Sequence, residues 1–211
     1  VAASSAALAS SAFAQSPALP FLIGGQSQPL VAKGKAPRIV VCGGGWGGLT
    51  VSKYLRQLAP DAEVIMLERN STFFSCPMSN KWLIDVVDTQ FLTYEYLRVS
   101  ERHGYRYIQC EVLAVEREAK RVVTSLGWLD YDYLVLAPGI RYNYEAWFGN
   151  DRRAAEATKA RFPSAYMPNA EHFALKRALH DFKGGEWVMT LPPPPQRCPP
   201  SPYERACLIA S

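Results

Sequence analysis

An α/β fold built on a parallel sheet is predicted by three stretches of this sequence. In the first, the apolar residues Ile39 to Cys42 run straight into Gly43, Gly45 and Gly48, and a helical pattern begins directly behind them. In the second, Glu63 to Leu67 reads as another buried strand and ends at Glu68. That acid lies about 20 residues past the last glycine, the separation a ribose-binding carboxylate requires. In the third, Tyr133 to Ala137 is an apolar run closed by Pro138-Gly139, consistent with a central parallel strand. Strand, glycines, helix, strand and acid in this order make a Rossmann-like dinucleotide-binding unit.

Each residue type has a physical task in that unit. Gly43 permits the tight turn, Gly45 lets the backbone approach a diphosphate, and Gly48 lets helix and strand pack closely. The diphosphate then rests on the free N–H groups at the helix N-terminus. A carboxylate at Glu68 accepts hydrogen bonds from ribose hydroxyls and repels a 2′-phosphate, which favours FAD or NAD over NADP. The helix is expected from Trp46 to Ala59, with Leu49, Leu55 and Leu58 at helical spacing and Pro60 as its stop.

Composition sets the remaining bounds. The 211 residues are 48% hydrophobic and 20% charged, ordinary values for a globular chain. Lys and Arg exceed Asp and Glu by 23 − 19 = 4, with the charges scattered. Nucleic-acid binding would want a basic stripe, so no such partner is expected. His103, His172 and His180 lie too far apart for a metal-ligand spacing and read as surface or satisfied histidines; no metal is expected.

Residues 1–14 are rich in Ala and Ser, carry no charge and close on Ala12-Phe13-Ala14, the small-residue pattern of an export signal; a disordered Ala/Ser arm is the alternative. Residues 15–37 read as a Pro/Gly-punctuated linker. Past the second strand comes Ser71-Thr-Phe-Phe-Ser-Cys-Pro-Met-Ser-Asn-Lys-Trp82. Its Cys76 precedes a proline in a loop near the expected cofactor, whereas Cys42 and Cys110 lie within apolar strands. On the residues alone, Cys76 reads equally as functional or structural. Strands are expected over Tyr105 to Val115, Arg121 to Thr124 and Trp128 to Tyr131, a β-excursion before the returning parallel strand. Asp151 to Phe182 reads as helical with breaks near Pro163 and Pro168, and Glu186 to Leu191 as the start of a further strand.

The loop after that stretch carries prolines where a second dinucleotide site would carry glycines. Pro192 to Pro195 offer no N–H donors to a phosphate, so no NAD(P) is expected there. Ser201, Pro202 and Glu204 spell a helix start with a capping box, with Ser201 as N-cap. Cys198 is thereby placed just outside a helix N-terminus beside Arg197, where a thiolate is stabilised; an incidental cysteine in a proline-rich linker is the alternative.

Three stretches together, Val41-Cys-Gly-Gly-Gly-Trp-Gly-Gly48, Phe74-Ser-Cys76-Pro-Met-Ser-Asn80 and Arg197-Cys198-Pro-Pro-Ser-Pro-Tyr-Glu-Arg205, resemble the flavoprotein subunit of flavocytochrome c sulfide dehydrogenase. That family sits within the two-dinucleotide-domain flavoproteins, and the resemblance runs from Arg38 to the end. It implies an FAD-binding domain over 38–150 and, over 151–211, the start of a second Rossmann-like domain. The C-terminal half is expected outside these residues. The resemblance further implies FAD held by a thioether from Cys76 to the 8α-methyl of the isoalloxazine. Gly43, Gly45, Gly47, Gly48, Glu68, Arg69, Val112, Ala137 and Gly139 are the other expected cofactor residues. Cys198 is implied as one half of a redox disulfide attacked by sulfide or another reduced sulfur compound. Its partner cysteine is expected in the C-terminal half, and neither Cys110 nor Cys207 resembles it. Electrons would pass through FAD to a c-type cytochrome subunit in the periplasm, with no membrane span in this chain. Two other readings share these residues: a sulfide:quinone oxidoreductase, which would need a membrane-associating tail, and a non-enzymatic flavin-binding or assembly protein.

Overall fold

The computed structural model describes residues 28–167, 170–191 and 198–211. The export-signal stretch, most of the linker, the proline run and Arg197 therefore lie outside the described residues.

Five consecutive buried residues make β1 (Arg38–Cys42), and the glycine turn delivers the chain to α1 (Trp46–Leu58) and back to β2 (Glu63–Glu68). The short β3 (Thr72–Phe74) follows, then a 3₁₀ turn at Cys76–Met78, α2 (Ser79–Leu83), α3 (Thr89–Leu92), β4 (Thr93–Glu95) and α4 (Tyr96–His103). Next come β5 (Arg106–Gln109), β6 (Val112–Glu116), β7 (Arg121–Thr124), β8 (Trp128–Asp130) and β9 (Tyr133–Leu136). Four helices complete the order: α5 (Glu145–Phe148), α6 (Arg152–Arg161), α7 (Ala170–Asp181) and α8 (Ser201–Ala210).

The main sheet is parallel, in the order β5-β2-β1-β9. Because side chains alternate along a strand, β1 and β2 feed two separate cores. Ile39, Val41, Val64 and Met66 pack with Leu49 and Leu55 of α1 and with Tyr96 and Val99 of α4. On the other face, Val40, Cys42, Ile65 and Leu67 meet Val122 and Leu129 of the antiparallel sheet β6-β7-β8. That three-stranded sheet is the expected β-excursion. A third core of Trp82, Leu83, Leu92 and Leu175 joins α2, α3 and α7.

Some details differ from the sequence expectation. The stretch expected as one strand from Tyr105 to Val115 is two strands in different sheets, broken at Cys110 and Glu111. Among the described strands β9 lies at the sheet edge, not the centre, with Tyr133 and Leu136 more than half exposed. Residues 186–191 form no strand; no described strand offers them a ladder, and Val188 is exposed. The last helix begins one residue early, with Pro200 as N-cap and Ser201 its first residue, so the expected capping box does not form. Among the described residues, no helix is long and apolar enough to cross a membrane.

Candidate functional site

Two groups of residues carry the site, and β3 joins them. The first gathers at the C-terminal edge of the parallel sheet, where ligands of open α/β sheets bind. Gly43 leaves β1 with φ +104°, and its N–H donates to the Leu67 carbonyl at 2.8 Å. A Cβ on Gly43 would fall 2.2 Å from the Ala137 carbonyl oxygen, and one on Gly48 only 1.8 Å from the Gly43 carbonyl oxygen. Both glycines are therefore required by packing. Gly45 differs: a Cβ there would meet nothing within 4 Å.

Gly45 is also the N-cap of α1, which has no side-chain cap and no acidic residue in its first turn. Helix geometry leaves the first N–H groups without intrahelical partners. They face an uncluttered approach, the cradle a diphosphate needs. Gly47 stands beside Ala137, 3.7 Å from its Cβ if given one. At the end of β2, Glu68 accepts from the Gly44 N–H at 2.9 Å and from the backbone and side chain of Asn70 at 3.0 and 2.7 Å. Both Asn70 bonds go to Oε1, so it is Oε2 that keeps a second lone pair for a ribose hydroxyl. The glycine cradle and this acid fit an adenine dinucleotide such as FAD.

Of the other expected cofactor residues, Arg69 follows Glu68, is exposed, and pairs with Glu111 at 3.9 Å. Val112 opens β6, and Gly139 lies two residues past Ala137 with φ +79°. All three belong to segments leaving the same sheet edge, but no described contact ties them to the glycine turn.

The second group surrounds Cys76. β3 leads to it by alternation: Phe73 packs on Trp46 (5.4 Å between ring centroids) and on Tyr96, whose hydroxyl donates to the Gly44 carbonyl at 2.8 Å. Phe74 packs instead on Trp82 and His172, at 5.9 and 5.2 Å. One residue later the chain enters the 3₁₀ turn. The half-buried Cys76 thiol donates to the Tyr166 carbonyl at 3.1 Å, with the Ser79 hydroxyl 4.0 Å away. Burial pushes this thiol up, Ser79 and the Arg205 charge pull it down, and Cys198 pushes it up again. Cys42 and Cys110 are core thiols, raised by burial to about 12 and about 11.

Cys198 is exposed and holds a left-handed φ of +54°, a conformation costly for a residue with a Cβ and often found where function demands it. Its carbonyl accepts from the N–H of Ser201, the first residue of α8, at 3.1 Å. Asn80 couples this segment to the Cys76 turn. Its amide donates to Ser201 (3.3 Å to both carbonyl and hydroxyl) and to Glu204 (2.8 Å), while its carbonyl accepts from Arg205 Nε at 2.9 Å. The two cysteine segments, more than a hundred residues apart in sequence, are thus held in one hydrogen-bonded group.

Sequence reasoning missed four of these residues. Asn80 and Arg205 close the two cysteine stretches, and their position in those stretches was the available signal. Tyr96 and Tyr166 sit in segments without a motif. Of the two readings expected for His172, surface or satisfied, the surface one fails: it is fully buried beside Phe74 and Trp82.

A family model described as pyridine nucleotide-disulphide oxidoreductase matches residues 37–175. The chain belongs to this family. This is a family of FAD-binding, flavin-dependent oxidoreductases, and the glycine turn and Glu68 of this chain occupy the matched region. A second model, described as sulfide dehydrogenase [flavocytochrome c] flavoprotein chain, central, matches residues 173–211. The type II NADH:quinone oxidoreductase of Staphylococcus haemolyticus is 30% identical over 104 residues, which are 48% of this chain and 26% of that protein. The chain spans about a quarter of the length of the curated relatives it matches. Among solved structures, NDH2 from Plasmodium falciparum in complex with RYL-552 superposes with a TM-score of 0.55 and 18% identity, over 70% of this chain and 29% of that one. This likeness concerns the fold alone. The sulfide:quinone oxidoreductase from Aquifex aeolicus gives a TM-score of 0.49 and 24% identity, over 52% and 26% of the two chains.

Proposed function

We propose that this chain is the flavin-bearing part of an exported sulfide dehydrogenase, oxidising sulfide or a related reduced sulfur compound and passing electrons to a c-type cytochrome. The observation that carries the reading is the Asn80–Arg205 network, which locks the Cys198 segment to the Cys76 turn beside the dinucleotide cradle. The match of residues 173–211 to the flavocytochrome c flavoprotein description supports it.

In this reading the α1 N-terminus holds the diphosphate and Glu68 the ribose, while the thiol of Cys76 carries the flavin. FAD supplies two-electron acceptance followed by release of single electrons. Cys198 forms a disulfide with a cysteine elsewhere in the full-length protein. Hydrosulfide attacks one sulfur of that bond and leaves a persulfide there, while the other sulfur departs as a thiolate and the hydrosulfide proton goes to solvent. No nicotinamide takes part, in keeping with the donor-free prolines before Cys198.

The test uses the full-length protein and its Cys198→Ser variant. The variant should keep bound FAD but lose sulfide-dependent cytochrome c reduction. Turnover at the wild-type rate in Cys198→Ser would refute the mechanism and leave the flavin assignment standing.

A further inference from the structure

Gly44 occupies a position of the glycine turn to which the G-x-G-x-x-G spacing gives no task. The structure gives it one through Tyr96, the first residue of α4. Tyr96 is 3% exposed; its hydroxyl donates to the Gly44 carbonyl at 2.8 Å, and its backbone N–H donates to the Ser71 carbonyl at 3.1 Å. A Cβ on Gly44 would fall 2.7 Å from the Tyr96 ring and 2.9 Å from Cγ of Glu68. Glycine is needed here because the tyrosine and the acid fill the space beside it.

Both polar groups of Gly44 are held. Its N–H donates to Glu68 at 2.9 Å and its carbonyl accepts from Tyr96. That carbonyl belongs to the planar peptide joining Gly44 to Gly45, and in a trans peptide the C=O and the N–H point in opposite directions. Pinning the carbonyl on a buried hydroxyl therefore aims the Gly45 N–H away from Tyr96, at the start of α1. This N–H is one of the helix-terminal donors without an intrahelical partner, and the approach to Gly45 is open. Glycines flank the peptide on both sides and leave its rotation nearly free of steric barriers, so the hydroxyl is what holds it.

Tyr96 is itself fixed. Its ring packs on Tyr107, with centroids 5.3 Å apart and planes 30° from parallel, and on Phe73 at 6.3 Å. The Tyr107 hydroxyl donates to the Asn70 carbonyl, and Asn70 donates to Glu68 through both its backbone and its side chain. The contacts close a loop from Tyr96 through Gly44, Glu68, Asn70 and Tyr107 back to Tyr96. The diphosphate and ribose ends of the site share this one frame.

We propose that Tyr96 is the positioning residue of the cofactor site: its hydroxyl sets the Gly44–Gly45 peptide so that the Gly45 N–H faces the diphosphate. The proposal rests on the reading of the α1 N-terminus as the diphosphate cradle. Without the hydroxyl, the peptide is free to turn and set a carbonyl oxygen against the negative diphosphate. The Gly44 N–H keeps its bond to Glu68, so the ribose end is spared and the loss falls on the diphosphate.

The test is calorimetric titration of the full-length protein, prepared from riboflavin-starved cells, with ADP and with adenosine, counting only the heat that prior loading with FAD abolishes. Tyr96→Phe keeps the ring and its packing and removes one hydroxyl. It should weaken ADP about tenfold, the worth of one hydrogen bond to a charged group, and leave adenosine at its wild-type affinity. Wild-type affinity for ADP in the variant would overturn the proposal. So would ADP and adenosine weakened by the same factor, the result a merely structural tyrosine gives. NMR of the glycine-labelled wild-type protein decides without any variant. ADP should shift the Gly45 amide and adenosine should not, and an unmoved Gly45 amide with ADP bound overturns the proposal. A wild-type protein that binds no ADP would instead remove the cradle reading, and the proposal with it.

Discussion

Gly45 and Gly48 lie three residues apart in one turn, yet alanine should act on them through different physics. At Gly48 the new Cβ would sit 1.8 Å from the Gly43 carbonyl oxygen and 2.9 Å from its carbon. Contacts below 3.0 Å are essentially never seen, so backbone must move by at least 3.0 − 1.8 = 1.2 Å. Neither partner is a flexible side chain, and Gly43 is itself tied to Leu67 at 2.8 Å and pressed against Ala137. Overpacking that forces such shifts costs about 1–3 kcal/mol, and this rigid turn belongs at the upper end. At roughly 2–4 °C per kcal/mol for a chain of this size, the Tm should fall by roughly 6–12 °C. Gly45→Ala meets no atom within 4 Å and needs no unusual φ, so it should cost only about 0.5–1 kcal/mol as a poorer N-cap. Its methyl instead occupies the approach of the diphosphate. Thermal unfolding by circular dichroism, paired with flavin absorbance after desalting, separates the two. Gly48→Ala should lose stability and flavin together, and Gly45→Ala flavin alone. A Gly48→Ala variant with wild-type Tm would refute the packing argument, and a Gly45→Ala variant with undiminished flavin would refute the cradle.

Further outcomes follow from the same geometry. Glu68→Ala removes the acceptor of the Gly44 and Asn70 donors; if Glu68 also holds the ribose as proposed, FAD binding should weaken by about tenfold or more in a flavin titration. Arg38→Met removes the 2.6 Å partner of Glu63, which keeps Arg106 at 3.6 Å, and frees the Val31 and Ala32 carbonyls; denaturant melts should show a loss of roughly 1–3 kcal/mol. His172 is neutral in the fold with a pKa near 4, against about 6.5 unfolded. The unfolded chain therefore binds the extra proton between these values, and stability should fall as pH drops through that window, by on the order of 3 kcal/mol in all. His172→Gln should flatten that dependence, and an unchanged pH slope would contradict it. If Cys76 carries the flavin, acid precipitation of the full-length protein should leave the yellow colour in the pellet, whereas free FAD in the supernatant would exclude the thioether.

The nucleotide half of the fold was legible because its signals are local. The strand ending at Cys42, the helix from Trp46 and the strand into Glu68 each follow from contiguous residues, and all were found within one residue of expectation. What escaped depends on partners distant in sequence. The break at Cys110 and Glu111 cannot be read from an apolar run, since both halves remain strands and only their sheets differ. Residues 186–191 have strand composition but no neighbouring ladder among the described residues. The cysteine group is the sharpest case. Cys76 and Cys198 were singled out by their loops, but the Asn80–Arg205 bond that couples them spans 125 residues and has no signature in either stretch alone. His172 shows the opposite case: its isolation in sequence left a surface or a satisfied histidine open, and the packing of Phe74 and Trp82, which buries it completely, removes the first.

The central claim is that a reduced sulfur compound, not a nicotinamide, delivers electrons to the flavin. The most direct measurement is an anaerobic comparison of the visible flavin spectrum of the full-length protein after adding sulfide and, separately, NADH. Sulfide should bleach the flavin, Cys198→Ser should abolish this bleaching, and NADH should leave the spectrum unchanged. Rapid bleaching by NADH with no response to sulfide would contradict it and place the chemistry with the NADH:quinone oxidoreductases that the chain also resembles.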